Sequence, residues 1–298
     1  MEYELKIRDI FNDVLRIEEV GESSNKVFRV YLKDKVVYAK FYRENSSHID
    51  NELKIYDLAD NSYLKEVLYK SDSPKMAVFS ELIGKTIDEL SLDELSLYSD
   101  KIIDAVISYF ESISSNKVNG FGLLDSDLCG RSDDFFTFLK TRQGDTSLTL
   151  VDYPELSILA DVILDKYKDI IISDNSLVPI DTNMKNIMVC CDGSIKFVDP
   201  GEMVSGPILM GYGDFAAHTY KTILYDKLVE RLSLSENDEK LLRIYAIFSS
   251  LNILAFLKKL GVLELDKVIP FGNSYSFYEL ISEHLDCLDL SDKRLIKK

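Results

Sequence analysis

Hydrophobic and polar positions fall into three regimes along the chain. Over residues 4–15 (ELKIRDIFNDVL), Leu5, Ile7, Ile10, Phe11, Val14 and Leu15 form an apolar stripe at helical spacing. The period then shortens to that of strands. Residues 16–20, 27–32 and 36–42 read as three strands, separated by a small polar turn at 21–25 and a Lys-Asp-Lys hairpin at 33–35. Residues 48–59 return to helical spacing, with Ile49, Leu53, Ile55, Tyr56 and Leu58 on one side. Residues 64–68 and 76–82 predict two more strands, giving a five-stranded antiparallel sheet with one main helix.

After Gly84, which lets the chain turn out of the sheet, helical spacing dominates. Helices are predicted over 86–97, 99–115, 133–142, 154–173, 214–232, 238–260 and 276–288. One stretch interrupts them, 176–203 (SLVPIDTNMKNIMVCCDGSIKFVDPGEM). Ile187, Met188 and Val189 form a short strand, Asp192-Gly193 a tight hairpin turn, and Ile195, Phe197 and Val198 a second strand that ends at Asp199. The pattern predicts an α+β chain. A small β-rich N-terminal lobe occupies 1–82, and a larger, mainly helical C-terminal lobe occupies 83–298.

Two places carry candidate chemistry. The first is the third strand, where Lys40 sits among Val36, Val37, Tyr38, Ala39, Phe41 and Tyr42. A charge on a mostly buried strand needs a partner or a ligand, and Glu52 on the following helix can supply one. The alternatives are an edge lysine that snorkels to water and an ordinary exposed helical acid. The second is the hairpin, around which Asp181, Asn186 and Asp199 converge. Asn and Asp offer hard oxygens that suit Mg²⁺, and a further carboxylate on the preceding loop can orient a hydroxyl. A solvated surface hairpin is the plainer reading of either aspartate alone.

Composition narrows the classes. Hydrophobic residues make up 46% of the 298, which is the composition of a globular chain. Apolar runs are too short for a bilayer span and the N-terminus is charged, so neither a signal peptide nor a transmembrane helix is expected. Four cysteines without metal spacing and three scattered histidines fit a reduced, cytoplasmic protein. A net charge of −16, from 51 acids against 35 bases, disfavours nucleic acid and anionic membrane. It would suit a cationic substrate if the acids gather at a cleft. Asp125, Asp127, Asp133 and Asp134 are candidates for such a cluster, or for solvated caps.

With these residues assembled, the chain resembles the aminoglycoside phosphotransferase family, which has a bilobal protein-kinase-like fold. GESSNKVFRV looks like that family's nucleotide-loop strand pair, YAKFY like its ATP-lysine strand, and NELKIYDL like the helix with the partner glutamate. SELIG resembles its hinge, PIDTNMKNIMV its H-G-D-x-x-x-x-N loop, VDPGEM its metal-binding segment, and GYGDFAAHTYK its next helix start. DPGEMVSGPILMGYGD is also similar to methylthioribose kinases, and fructosamine kinases share the fold.

The resemblance implies a kinase using ATP and Mg²⁺ to phosphorylate a hydroxyl of a polar, cationic small molecule such as an aminoglycoside. A metabolic sugar-type kinase and a catalytically silent binding protein are the alternatives. Asp181 would be the catalytic residue, and Asn186 and Asp199 would hold the metal. Ser23 and Lys40, with its partner Glu52, would hold phosphates, and the backbone at Ser80 and Leu82 the adenine. Asp214 would support the catalytic loop. Where the family has His two positions before the catalytic Asp, this chain has Pro179. No A-P-E segment follows Asp199, so a peptide substrate is not expected.

Overall fold

A computed structural model describes residues 2–20, 25–42, 47–58, 61–200, 202–265 and 275–290, without the side chains of 47–51 and 61. Helix α1 (Glu2–Ile10) precedes strands β1 (Val14–Glu19), β2 (Lys26–Leu32) and β3 (Val36–Phe41). Helix α2 (Ser47–Leu58) leads to β4 (Val67–Asp72) and β5 (Lys75–Ser80). These strands form one antiparallel sheet in the order β1-β2-β3-β5-β4. Its two faces differ. Phe28, Val30, Leu32, Val37, Ala39 and Phe41 point to one side, where Ile7 of α1 closes a small core. Lys40 points to the other.

The predicted first helix is shorter than its apolar stripe. It stops at Ile10, and Val14 belongs to β1, opposite Leu32. The stripe ran on because a strand's first apolar residues happened to continue the helical spacing.

The chain leaves the sheet through β6 (Gly84–Thr86) and a short 3₁₀ turn, then enters α3 (Leu92–Ser114). Two helices were expected here, over 86–97 and 99–115, and one forms. Ser91 and Glu94 make a capping box. The Ser91 side chain accepts from the Glu94 amide, and the Glu94 carboxylate accepts from the Ser91 amide at 2.8 Å. That fixes the start at Leu92 and satisfies amides that a helix end leaves without partners.

Strands β7 (Phe121–Leu124) and β8 (Gly130–Ser132) then precede α4 (Phe135–Thr149), α5 (Pro154–Ser157) and α6 (Leu159–Tyr167). Asp134 caps α4 by accepting from the amides of Phe136 and Thr137, and Asp125 accepts from those of Asp127 and Cys129. Both therefore act as caps and turn-makers.

Strand β9 (Ser176–Pro179) delivers the loop that carries Asp181. The hairpin follows as β10 (Ile187–Cys190) and β11 (Ile195–Phe197), and β10 also pairs with β6. Cys190 is buried and Cys191 exposed, as adjacent strand positions require. Strand β12 (Met203–Gly206) pairs with β9, a partnership the sequence did not signal.

Helices α7 (Ile208–Thr219), α8 (Ile223–Leu232), α9 (Glu236–Lys259) and α10 (Phe277–Cys287) complete the lobe. The helix expected over 214–232 is split between α7 and α8. Thr222 caps α8 by accepting from the Leu224 amide, and Lys221 before it has a left-handed φ of 55°. Helix α9 is long and apolar enough to cross a membrane, yet 67% of its most apolar window is buried inside the protein. It is the central helix of the lobe.

The main core runs through both lobes, joining Tyr56 and Phe79 to Tyr109, Phe110 and Phe215. Phe197 bridges to Leu64, so the hairpin is bound to the sheet lobe as well.

Candidate active site

The site is built where the inner face of the sheet meets the hairpin. Lys40 faces that side of β3. Its Nζ donates to both Glu52 carboxylate oxygens, at 2.9 and 2.7 Å, and to Asp199 Oδ1 at 3.1 Å. Lys40 and Glu52 are both buried, while Asp199 is half exposed. Burial alone would lower the lysine pKa, but Glu52 and Asp199 outweigh it and hold the ammonium charged. Two residues 159 positions apart thus meet across the lobes.

Asp181 sits on the loop after β9 with φ of 64°, a conformation side chains other than glycine rarely adopt. The surroundings hold it there. The Asn186 Nδ2 donates to the Asp181 carbonyl at 2.9 Å and to its carboxylate at 3.1 Å. The Asn183 amide donates to the other carboxylate oxygen at 2.7 Å. One residue on, Asp214 of α7 accepts from the Thr182 amide at 2.8 Å and its hydroxyl at 2.9 Å, and Ser249 of α9 donates to the same carboxylate. Asp214 therefore braces the loop, as the motif suggested.

Withdrawal from water at the cleft pushes the Asp181 carboxyl up to about 7, opposed by the Asn183 and Asn186 amides and assisted by the charges of Glu202 and Asp214. Pro179 is strand residue rather than loop. It pairs with Met203, and the Ile180 amide donates to the Glu202 carbonyl at 2.9 Å. The strand pairing anchors the loop's entry at this point.

Asn186 and Asp199 fit a hard divalent cation. The Asn186 side-chain nitrogen is spent on Asp181, which leaves its side-chain oxygen to serve as a metal ligand. The Val198 amide donates to the Asn186 backbone carbonyl at 2.9 Å and so ties the segment before Asp199 to Asn186. A carboxylate and an amide oxygen suit Mg²⁺ and are a poor set for softer metals. Among the described residues no group of three or more His, Cys, Asp or Glu offers another metal site.

The remaining sequence candidates divide. Ser23 lies outside the described residues. Ser80 ends β5, and its amide donates to the Glu66 carbonyl at 3.0 Å, so that N–H is not free for a ligand. Leu82 follows between β5 and β6. The strand register also places Arg29 opposite Tyr38 on the Lys40 side of the sheet. Arg29 reaches across to Glu81 beside Ser80, at 2.5 Å. Nothing in the residue pattern signals this charged pair, because both residues read as ordinary surface positions.

Next to Asp181 opens a cleft of about 750 Å³. Helix α9 forms one wall with Tyr245, Phe248, Ser249, Asn252, Ile253 and Phe256. Arg142 of α4, Glu202, Asp88 and the exposed Lys185 add charge. Sequence reasoning missed these. The α9 residues recur at i, i+3, i+4 and i+7, which is also the signature of a core stripe.

No protein-family model and no curated protein matches the chain by sequence. Solved structures do match over nearly its whole length. A thermostable mutant of aminoglycoside phosphotransferase APH(4)-Ia, in ternary complex with AMP-PNP and hygromycin B, superposes with a TM-score of 0.65 at 15% identity. It covers 88% of this chain and 92% of that one. The fold is protein-kinase-like. Choline kinase LicA from Streptococcus pneumoniae has the same protein-kinase-like fold, with a TM-score of 0.64 at 14% identity over 97% of this chain and 99% of its own. A putative fructosamine-3-kinase from Haemophilus somnus follows at 0.59 and 12%, covering 96% of each. These neighbours are small-molecule kinases of one superfamily.

Proposed function

We propose that this chain is an ATP-dependent small-molecule kinase that transfers the γ-phosphoryl group to an alcohol. The observation that carries the reading is the meeting of Lys40, Glu52 and Asp199 across the lobes, one loop away from Asp181 and its cleft. In this reading Lys40 binds the nucleotide phosphates and Glu52 holds its ammonium in place. Asn186 and Asp199 hold Mg²⁺, which supplies neutralisation of phosphate charge. Asp181 orients the acceptor hydroxyl. As the acceptor oxygen bonds to phosphorus, the bond to the departing ADP oxygen breaks and the hydroxyl proton passes to the Asp181 carboxylate.

The acceptor is a small polar molecule that fits the cleft. The Glu202 carboxylate, exposed and without a hydrogen bond among the described residues, supports a cationic group on it. An aminoglycoside is one such molecule, and neighbours named for choline and fructosamine keep metabolic amines in view. Pro179 in place of the family's histidine does not favour a silent protein, since the β9–β12 pairing anchors the same loop.

The test is Mg·ATP turnover against aminoglycosides, amino alcohols and amino sugars, with products detected by mass spectrometry. One added phosphoryl group, abolished in Asp181→Asn while ATP binding persists, is the expected result. Unchanged turnover in that variant would remove Asp181 from the reaction.

A further inference from the structure

The cleft beside Asp181 contains a cation that the kinase reading leaves unused. Arg142 sits in the middle of α4 and lines the cleft from a half-buried position. The helix is pinned there. Thr146, one turn on, has its hydroxyl oxygen 3.1 Å from the Arg142 carbonyl and 2.7 Å from Asn252 Oδ1 of α9, within hydrogen-bond reach of both. The Arg142 guanidinium itself makes no hydrogen bond and no ion pair among the described residues. Glu202 and Asp214 are near enough to favour its charge, and burial works against it. Neither carboxylate reaches contact, and Asp214 is already engaged by Thr182 and Ser249.

Five N–H donors face the cleft without a protein acceptor, so they are available to a ligand that enters it. Among the described residues, several other arginines are answered by carboxylates: Arg16 by Glu18, Arg29 by Glu81, Arg231 by Asp100 and Asp104, and Arg243 by Glu239. The Tyr245 hydroxyl, of a residue lining the same cleft, is buried and likewise has no partner among the described residues. A planar guanidinium is matched by a two-oxygen anion, which it can bind through paired hydrogen bonds.

We infer that the acceptor carries an anionic group, a carboxylate or a phosphate ester, which docks on Arg142 while its hydroxyl lies at Asp181. The inference rests on the kinase reading of this cleft and narrows its substrate class. Phe248, Ile253 and Phe256 offer the acceptor's carbon skeleton an apolar wall. Arg142 is then a specificity-determining residue. An amine on the acceptor has Glu202 to face as well, but an amine alone leaves the guanidinium unanswered.

The experiment uses the full chain with Mg·ATP and two arms of matched small alcohols. One arm pairs hydroxycarboxylic acids with their amides, and the other pairs sugar phosphates with the free sugars. The expected result is turnover in one arm only by its anionic member, which also identifies the source of the charge. Arg142→Met should then raise KM for that acceptor roughly 10- to 100-fold, with a smaller change in kcat. Arg142→Lys should recover part of the loss, and KM for ATP should not move. Turnover confined to neutral or purely cationic alcohols, or an unchanged KM in Arg142→Met, overturns the inference. So does a lack of turnover in both arms, and calorimetric binding of Mg·ATP then separates the two failures. Retained binding leaves the kinase reading standing, and its loss removes that reading too.

Discussion

The Lys40–Glu52 pair shows how one residue's worth depends on its partner. Both side chains are buried and hydrogen-bonded to one another. Removing one member leaves a buried charge unanswered, which costs about 3–5 kcal/mol, whereas replacing both with apolar groups is often near neutral. Lys40→Met should therefore lower the melting temperature sharply, and Lys40→Met with Glu52→Met should recover most of it. Neither should bind Mg·ATP. Recovery of nucleotide binding in the double variant would show that the pair is structural only.

A second residue sets a pH limit. His284 of α10 is buried beside Arg243, and its imidazole is pushed down to about 3, first by burial and then by that arginine, with Glu283 opposing. The unfolded chain takes up this proton near pH 6.5 and the folded chain does not until about pH 3. Stability is thus fully present above about pH 6.5 and is lost as pH falls, by about 2 kcal/mol at pH 5 from this group. Urea unfolding at pH 7.5, 6 and 5 should give a shallower decline for His284→Phe than for the parent protein. Parallel declines would mean that His284 titrates normally.

At the scale of elements, the loop holding Asp181 is only as fixed as the packing of α7 on α9. Gly213 makes that packing possible, since a Cβ there would lie 2.4 Å from the Tyr245 Cβ. Gly213→Ala should force the helices apart and cost about 1–3 kcal/mol. It should also slacken the Ser249–Asp214–Thr182 chain and lower kcat. Gly144 in α4 has nothing within 4 Å of its added Cβ, so Gly144→Ala should be neutral or stabilising by up to about 1 kcal/mol. Thermal melts should fall for Gly213→Ala and hold or rise for Gly144→Ala.

Elements were also where sequence and structure differed most. Four of the sheet strands, the hairpin and its delivery of Asp199 were legible because strand period, a Gly turn and burial pattern agree there, whereas the strand expected over 64–68 forms over Val67–Asp72. The start of α3 was not, since the apolar stripe runs straight through Thr86–Leu90 and only the Ser91–Glu94 box stops it. Strand β12 escaped notice because its four residues have meaning only when paired with β9. Lys40, Glu52, Asp181, Asn186 and Asp199 stood out as charges or amides in apolar company. Arg142 and Asn252 did not, because on a helix a cleft-facing polar residue looks like a solvated one, and Glu202, in the segment before β12, reads as a solvated loop acid.

For the whole molecule, two lobes bring the proposed nucleotide site together from distant segments. The net charge of −16 makes the Lys40 ammonium a local exception on an acidic protein, so phosphate binding there should depend on the metal and on ionic strength. The most direct measurement is calorimetric titration of ATP into the full chain, with and without Mg²⁺, for the parent protein and Asp199→Ala. The account predicts one-site binding that requires Mg²⁺ and is lost in Asp199→Ala. Equal binding by both proteins, or no binding by the parent with Mg²⁺ present, would contradict it.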